Sequence, residues 1–279
     1  MIWKLLTALA LVLLSLLVVR VKEELGAVMA KSGKPARYAF IDRVEALFKE
    51  GFQGNRWFSV IYMSVAALAI MLVPIGSMEA PLGFRCDIFL LGGLFAVMEA
   101  MRLAAEGGNR KLLPSLRLVF RRDTPSRISP LEHPVLRDEL FAAATIIVLL
   151  AAIAVLADQT SFSFAVNGLR HKPMAALLLP LLLAVTVISG SSATTGLKGA
   201  DLAAVIVGDW LREAALLMIL ANVAAIAFPH PLTVIILTLL FAALVTLAEY
   251  YMRRVSLPRW ALPVVFGLSA LVLVLMALV

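Results

Sequence analysis

Cysteine and histidine are scarce in this sequence of 279 residues, which has one cysteine and three histidines. The single cysteine, Cys86, excludes an internal disulfide framework and a cluster of thiolate metal ligands. The histidines (His133, His171 and His230) lie far apart in the sequence and do not predict a haem or metal site. The sequence also lacks an H-E-x-x-H motif, an Asp-rich pair and a Walker loop. We therefore predict no catalytic, cofactor-binding or metal site within this chain.

Charged residues make up only 15% of the chain, whereas hydrophobic residues make up 62% and the mean hydropathy is +0.98. A soluble domain has too little interior to bury that much apolar surface. The composition therefore predicts an all-α, polytopic membrane protein whose main surroundings are the lipid bilayer. The formal net charge of +7 is expected of cytoplasmic loops and does not predict nucleic-acid binding.

Polar loops divide the chain into apolar segments near the roughly 20 residues that a helix needs to cross a bilayer. We predict a transmembrane bundle of about eight helices, which forms a single membrane domain over residues 1–279. The first segment is longer than the apolar part of a secretory signal peptide, so we expect it to be retained. Pro180 is expected to kink the fifth segment. The eight predicted segments are residues 2–19, 57–77, 87–105, 139–157, 174–191, 211–228, 231–252 and 260–278.

Lysine and arginine are concentrated in alternate loops of this predicted bundle. The loops over residues 20–56 and 106–138 hold most of them, and the loops after the second, fourth and sixth segments hold few. Cytoplasmic loops of membrane proteins carry the excess of lysine and arginine. Both basic loops are therefore predicted to be cytoplasmic, with the N-terminus and the C-terminus outside.

Residues 40–57 (FIDRVEALFKEGFQGNRW) lie in the first cytoplasmic loop and are too charged to cross a bilayer. On a helix, their apolar side chains fall on one side and their charged side chains on the other. Such a helix either rests among the lipid headgroups or provides a docking surface for a soluble partner. The predicted apolar side consists of Phe40, Ile41, Val44, Leu47 and Phe48.

Ionisable residues within apolar segments are costly at membrane depth and mark candidate functional sites. Glu99 and Arg102 have the spacing to pair on one face of a helix, and Glu249 has an arginine four residues later. Each pair is equally compatible with a structural ion pair near the interface. Arg212 and Glu213, at the start of the sixth segment, are compatible with anchoring that segment at the interface.

Three short stretches resemble motifs of one family of membrane subunits. Residues 42–50 (DRVEALFKE) are similar to D-x-x-K-L-F-K-x-E, and residues 248–254 (AEYYMRR) are similar to A-E-x-x-x-A-R-x-R. Residues 106–109 (EGGN), with Arg117 beyond them, are similar to an acidic Gly-Ser loop that leads to an arginine. The family is the H subunit of respiratory complex I (NADH-quinone oxidoreductase). The resemblance is closer to its counterpart in formate hydrogenlyase and other energy-converting hydrogenases.

This resemblance implies a membrane subunit that anchors a redox module and couples it to ion-translocating subunits. The implied partners are hydrogenase-like peripheral subunits and antiporter-like membrane subunits in the cytoplasmic (inner) membrane of a bacterium or archaeon. Any quinone, iron–sulfur or NiFe centre would belong to the partner subunits. The implied polar relay residues are Glu99, Glu106, Asp201 and Glu249. The implied docking residues are Arg43, Glu45, Lys49, Arg117, Arg121, Arg122, Arg253 and Arg254.

The sequence departs from this family at helix five and the loop that follows, where the family carries a core similar to E-x-x-x-I-P-F-D-x-x-E-A-E. The corresponding residues 189–201 (SGSSATTGLKGAD) contain one carboxylate, that of Asp201. Those acids are thought to connect the redox site to the proton path in the family. The resemblance therefore implies that most of the helix-five proton path is lost here.

A stand-alone transporter for a small solute or ion is the alternative prediction. It would use Glu99, Arg102 and the kinked polar end of the fifth segment as a site near the bilayer centre. A coupling subunit would instead place these residues towards the cytoplasm. The short distance in sequence from Glu99 to Glu106 favours the cytoplasmic position.

Overall fold

The computed structural model describes residues 2–30, 39–53, 56–76, 80, 87–107, 134–169, 179, 182, 197–226, 228–254 and 261–277. Nearly all of the regular structure in these residues is helical, as the composition predicts, and two isolated β-bridges are the exceptions. The helices are α1 (Ile2–Met29), α2 (Ala39–Lys49), α3 (Arg56–Leu72), α4 (Ile88–Gly107), α5 (Pro134–Ala157), α6 (Phe162–Leu169), α7 (Gly199–Ala224), α8 (Pro231–Arg254) and α9 (Ala261–Ala277).

Two helices extend well beyond their predicted apolar segments. Helix α1 continues past residue 19 to Met29, and Arg20 pairs with Glu24 across one turn of this extension at 2.6 Å. Helix α7 begins at Gly199 rather than at residue 211. Hydropathy alone does not predict either extension, because charged residues lie within them. In the structure several of those charges have partners, namely Arg20, Lys22, Glu24, Asp201 and Asp209.

The amphipathic helix is shorter than predicted. It ends at Lys49, Gly51 follows with a φ of +75°, and Trp57 belongs to α3. Its predicted apolar side is also only partly covered, because Phe40 is buried whereas Ile41 and Phe48 are both 39% exposed.

Other predicted boundaries differ less or lie outside the described residues. Helix α5 begins at Pro134, so the last residues of the predicted loop 106–138 are helical, and the short helix α6 was not predicted. Most of the predicted fifth segment, including Pro180, lies outside the described residues.

Helix α7 lies at the centre of the bundle. It packs against α1, α2, α3 and α8, whereas α4 joins α3 to α5 and α5 packs against α9. The closest approach is at Gly208, where an added Cβ would lie 2.4 Å from the ring of Tyr62 on α3. A helix with charged residues from its first turn to its middle is therefore enclosed by four neighbours, which explains why those charges find partners on other helices.

Asn222 joins the C-terminal part of α7 to the chain that follows α3. Its side-chain amide donates to the carbonyl oxygens of Pro74 and Met218, and its Oδ1 accepts from the backbone N–H of Gly76. Gly76 has a φ of +59° and approaches the backbone of Pro229 so closely that a Cβ would lie 2.6 Å from its carbonyl oxygen. These contacts hold the turn after α3 against the connection between α7 and α8.

The outer faces of the bundle are lined by large apolar side chains. Such continuous apolar surface is not expected of a monomer in water. Among the described residues, Pro231–Tyr251 within α8 is the one helix that qualifies as a membrane span by length and composition, and Arg56–Leu72 and Phe141–Ala157 are shorter apolar helices. The exposed residues on α1 and α8 include Leu6, Leu9, Leu13, Leu17, Leu232, Ile236, Leu240 and Leu244.

Candidate functional site

Charged side chains from four helices and one tyrosine from a fifth meet inside the bundle. Helices α1, α4 and α8 contribute from their C-terminal parts, α3 contributes from its N-terminal half, and α7 contributes from its middle. This places the charges towards the end of the bundle where α2 also lies. We call this set the polar cluster, and it consists of Lys22, Tyr62, Glu99, Arg102, Asp209, Arg212, Glu213 and Glu249.

One half of the polar cluster joins α4 to α7. Glu99 forms an ion pair with Arg212, and Arg102 lies 3.5 Å from the carboxylate of Asp209. The hydroxyl of Tyr62 donates to Asp209 at 2.6 Å. Arg102 and Tyr62 are fully buried and Glu99 is 4% exposed. Two cations and two anions balance in this half, as buried charges require.

The predicted ion pair between Glu99 and Arg102 within α4 is therefore wrong. The ion pair of Glu99 is with Arg212 on α7, since the two helices place that guanidinium next to its carboxylate. Arg212, which the sequence left compatible with anchoring at the interface, is buried inside the bundle.

The other half of the polar cluster is a triad of Lys22, Glu213 and Glu249, which we call the lysine triad. The Lys22 ammonium lies 2.5 Å from a carboxylate oxygen of Glu213 and 3.4 Å from one of Glu249. It joins α1, α7 and α8. The predicted partner of Glu249, the arginine at position 253, belongs to α8, and its side chain lies outside the described residues.

Asp201 lies apart from the polar cluster and forms hydrogen bonds that hold neighbouring parts of the chain together. Its two carboxylate oxygens accept from the Ser59 hydroxyl and from the backbone N–H of Gln53, each at 3.0 Å. The N–H of Ala200 donates to the carbonyl of Gly51 at 2.9 Å. Asp201 is roughly 12 Å along the axis of α7 from Asp209, by the rise of an α-helix. It therefore fastens the connection between α2 and α3 to the first turn of α7.

Replacement of Asp201 by alanine is expected to loosen α2 from α7. Leaving buried donors without an acceptor costs about 1–3 kcal/mol. We expect the backbone amides of α2 and of Gln53 to exchange with deuterium roughly tenfold to a hundredfold faster, measured by mass spectrometry on the purified chain. Asp87→Ala is the matched control, because Asp87 accepts backbone N–H groups at the start of α4 and should leave α2 unchanged. Unchanged exchange in α2 of Asp201→Ala would contradict this role.

The predicted docking residues on α2 are exposed. Arg43, Glu45 and Lys49 all face solvent, and Glu45 pairs with Lys49 at 2.7 Å. The hydrogen bond and the charge of Lys49 lower the pKa of the Glu45 carboxyl, and Glu45 in turn raises the pKa of Lys49. Phe40 anchors the opposite side of α2 through an edge-to-face contact with Trp210, with ring centroids 5.6 Å apart.

Several predicted site residues cannot be placed in this geometry. Glu106 and the two arginines at the end of α8 belong to helices, but their side chains lie outside the described residues, and three further arginines lie outside them altogether. Within the part of the chain that the structure describes, no group of three histidine, cysteine or acidic side chains could hold a metal ion. The residues concerned are Glu106, Arg117, Arg121, Arg122, Arg253 and Arg254.

Sequence reasoning did not single out Lys22, Tyr62 or Asp209, and it considered Glu213 only as a residue that could anchor a segment at the interface. The available signal was the set of charges at 201, 209, 212 and 213 beside a long apolar run. Had α7 been started at Gly199, these charges would have lain within one helix, where an enclosed position demands partners from neighbours.

The sequence matches no known protein family, and it matches no curated protein. The fold was compared with solved structures as well. It matches a chain in the structure of the membrane-bound sulfane sulfur reductase (MBS), an archaeal respiratory membrane complex, with a TM-score of 0.65. The match covers 99% of this chain and 97% of that chain. The two chains share a fold. Their sequence identity is 12%, so the likeness shows the architecture alone.

Proposed function

We propose that this chain is a membrane subunit of a respiratory assembly, in which it anchors a peripheral redox module and couples it to ion-translocating membrane subunits. The observation that carries this proposal is the fold, which matches a chain of the archaeal respiratory complex over nearly the full length of both. The motifs at residues 42–50 and 248–254 support the same proposal independently of the fold. Both would lie at the same end of the bundle, because α2 and the end of α8 are both there.

The proposal includes about eight membrane-spanning helices with both termini outside. The apolar outer faces of α1 and α8 support this, because large aliphatic side chains there suit contact with lipid. Helices α4 and α7 carry charges that lower their hydropathy, and these charges turn inward to one another. Polar residues in membrane proteins face the bundle interior in this way.

In this proposal the redox centres belong to partner subunits and not to this chain. The partners would be hydrogenase-like peripheral subunits that carry iron–sulfur or NiFe centres, with a quinone bound beside them. The exposed charges of α2, together with the basic loop after α4, would dock the peripheral module. The polar cluster would carry the relay role assigned to Glu99 and Glu249. Asp201 would contribute to docking through its hold on the chain after α2 rather than to the relay, because its oxygens accept hydrogen bonds from Gln53, in the connection after α2, and from Ser59 on α3.

Site-specific photo-crosslinking in native membranes tests this proposal. A photoreactive residue in place of Lys49 on α2 is expected to capture a soluble iron–sulfur or hydrogenase-like subunit. The matched control places the same residue at Ile236, an exposed position towards the opposite end of the bundle, which is expected to capture lipid or membrane subunits only. Capture of no protein at Lys49, together with solute transport by the purified chain in vesicles, would overturn the proposal and favour a stand-alone transporter.

A further inference from the structure

Helix α2 has an exposed apolar side that is distinct from its exposed charges. Ile41 and Phe48 are each 39% exposed, and their spacing of two helical turns places them on one side of the helix. That side lies about a quarter turn from the buried Phe40. Ala46 is also exposed and lies nearly opposite Ile41 and Phe48. We call Ile41 and Phe48 the apolar flank of α2.

Helix α2 lies lengthwise along the first half of α7. Near its beginning, the ring of Phe40 contacts that of Trp210, and just after its end the carbonyl oxygen of Gly51 accepts from the N–H of Ala200. The stretches of chain between these two contacts are each roughly 15 Å long by the rise of an α-helix. The two helices are therefore antiparallel, and α2 extends along the outside of the bundle.

The two ends of α2 lie beside α1 and α3. At its beginning, Arg43 is close enough to Glu23 of α1 for their charges to interact. After its end, the backbone N–H of Gln53 and the hydroxyl of Ser59 on α3 both donate to Asp201. Helix α2 thus lies between the charged end of α1 and the beginning of α3.

The apolar outer surfaces of α1 and α3 end at these two places. Leu17 and Glu24 are both exposed on one side of α1, which changes from apolar to charged between them. On α3, Leu68, Ile61 and Trp57 are exposed along one side that reaches the first turn of the helix. Large aliphatic side chains on the outside of a membrane bundle suit contact with lipid. The apolar flank of α2 therefore continues the lipid-facing surface of the bundle from α1 to α3.

The first two residues of α3 form a pair suited to a lipid headgroup. The guanidinium of Arg56 lies over the ring of Trp57, 5.2 Å from its centroid, and Trp57 is 63% exposed. Tryptophan is enriched at the level of the headgroups, and the planar donors of arginine match a phosphate group. A cation at this level attracts anionic lipids.

We propose that the apolar flank of α2 and the Arg56–Trp57 pair form a binding surface for anionic phospholipid of the cytoplasmic leaflet. The acyl chains contact the apolar flank and Trp57, and the phosphate oxygens accept hydrogen bonds from Arg56. The charged side of α2 stays in water, where a peripheral module can reach it. This inference rests on the membrane placement proposed above and not on the presence of any partner subunit.

Fluorescence quenching by brominated phospholipids tests this surface in the full chain in nanodiscs, because bromine quenches tryptophan on contact. The four native tryptophans, at positions 3, 57, 210 and 260, are first replaced by phenylalanine. In this background Phe48→Trp is expected to lose most of its fluorescence when the bromines lie near the headgroup end of the acyl chains. Ala46→Trp is the matched control, and iodide in the water should quench it whereas brominated lipid should not.

Leu240→Trp separates this inference from the membrane placement, because Leu240 is exposed within the apolar run of α8. Quenching of Leu240→Trp by brominated lipid, with quenching of Phe48→Trp by iodide alone, would overturn the inference and leave the membrane placement intact. The apolar flank would then be open to a protein partner. Absence of lipid quenching in both variants would contradict the membrane placement as well.

The preference for anionic lipid is measured with Trp57 kept as the one tryptophan. Quenching is compared between mixtures in which either phosphatidylglycerol or phosphatidylcholine carries the bromine, and we expect a roughly fivefold preference for phosphatidylglycerol. Arg56→Gln should remove the preference. Lys4→Gln, which removes an exposed cation at the opposite end of α1, should keep it. Equal quenching by the two lipids when Arg56 is present, or a preference that survives in Arg56→Gln, would overturn the contact between Arg56 and phosphate.

Discussion

Replacing Glu99 by methionine is expected to destabilise the chain by about 3–5 kcal/mol, because it leaves the buried guanidinium of Arg212 without its partner. The loss is expected to be near the upper end, since Arg102 is another buried cation close by and the Glu99 carboxylate would no longer offset its repulsion of Arg212. Thermal or denaturant unfolding in mild detergent, followed by tryptophan fluorescence, measures the change.

The double variant Glu99→Met with Arg212→Met is the decisive comparison. Apolar residues of similar volume in place of both partners of a buried ion pair are often neutral or stabilising. We therefore expect the double variant to recover most of the stability that either single variant loses, with a coupling energy well above the roughly 0.5 kcal/mol seen for independent sites. Simple additivity of the two single losses would show that Glu99 and Arg212 do not act as a pair.

Replacing Gly208 by alanine is expected to disrupt the contact between α3 and α7. The added Cβ would lie 2.4 and 2.5 Å from two ring carbons of Tyr62. That ring is fully buried and its hydroxyl is bonded to Asp209, so it has no room to withdraw. Overpacking of this kind costs about 1–3 kcal/mol, and Gly208→Val should cost more than Gly208→Ala.

Gly93→Ala is the matched control for Gly208→Ala. Gly93 lies in the second turn of α4, where an added Cβ would meet no atom within 4 Å. Alanine is favoured over glycine in a helix by about 1 kcal/mol, so this variant is expected to be neutral or slightly stabilising. Equal melting temperatures for Gly208→Ala and Gly93→Ala would contradict the close packing of α3 on α7.

The parts of the fold that sequence predicts well depend on local periodicity. Helix α2 follows from the alternation of apolar and charged residues over one or two turns, and α8 follows from its uninterrupted apolar run. The end of α2 cannot be predicted from this periodicity. Gly51, just after it, has a positive φ, and its carbonyl oxygen accepts a hydrogen bond from the N–H of Ala200 at the start of α7. That boundary depends on a contact between residues far apart in the chain.

For the candidate site too, sequence reasoning finds what depends on local pattern and misses what depends on contacts between helices. Sequence reasoning identified Glu99 and Glu249 as costly charges, which needs only the hydropathy around them. It paired Glu99 with Arg102 because spacing within one helix is visible in a sequence, whereas the geometry between α4 and α7 is not. Lys22 was assigned to a loop because α1 continues past the apolar run, and its role emerged only when α1 was placed beside α7 and α8.

Purification in mild detergent from the native host, followed by native mass spectrometry of the intact particle, tests the central claim most directly. The account predicts a particle that contains this chain in fixed stoichiometry with iron–sulfur or hydrogenase-like peripheral subunits and other multi-pass subunits. Reversal of the α2 charges by Arg43→Glu and Lys49→Glu should release the peripheral subunits and leave the membrane subunits together. A folded, homogeneous chain with no stoichiometric partner would contradict the account.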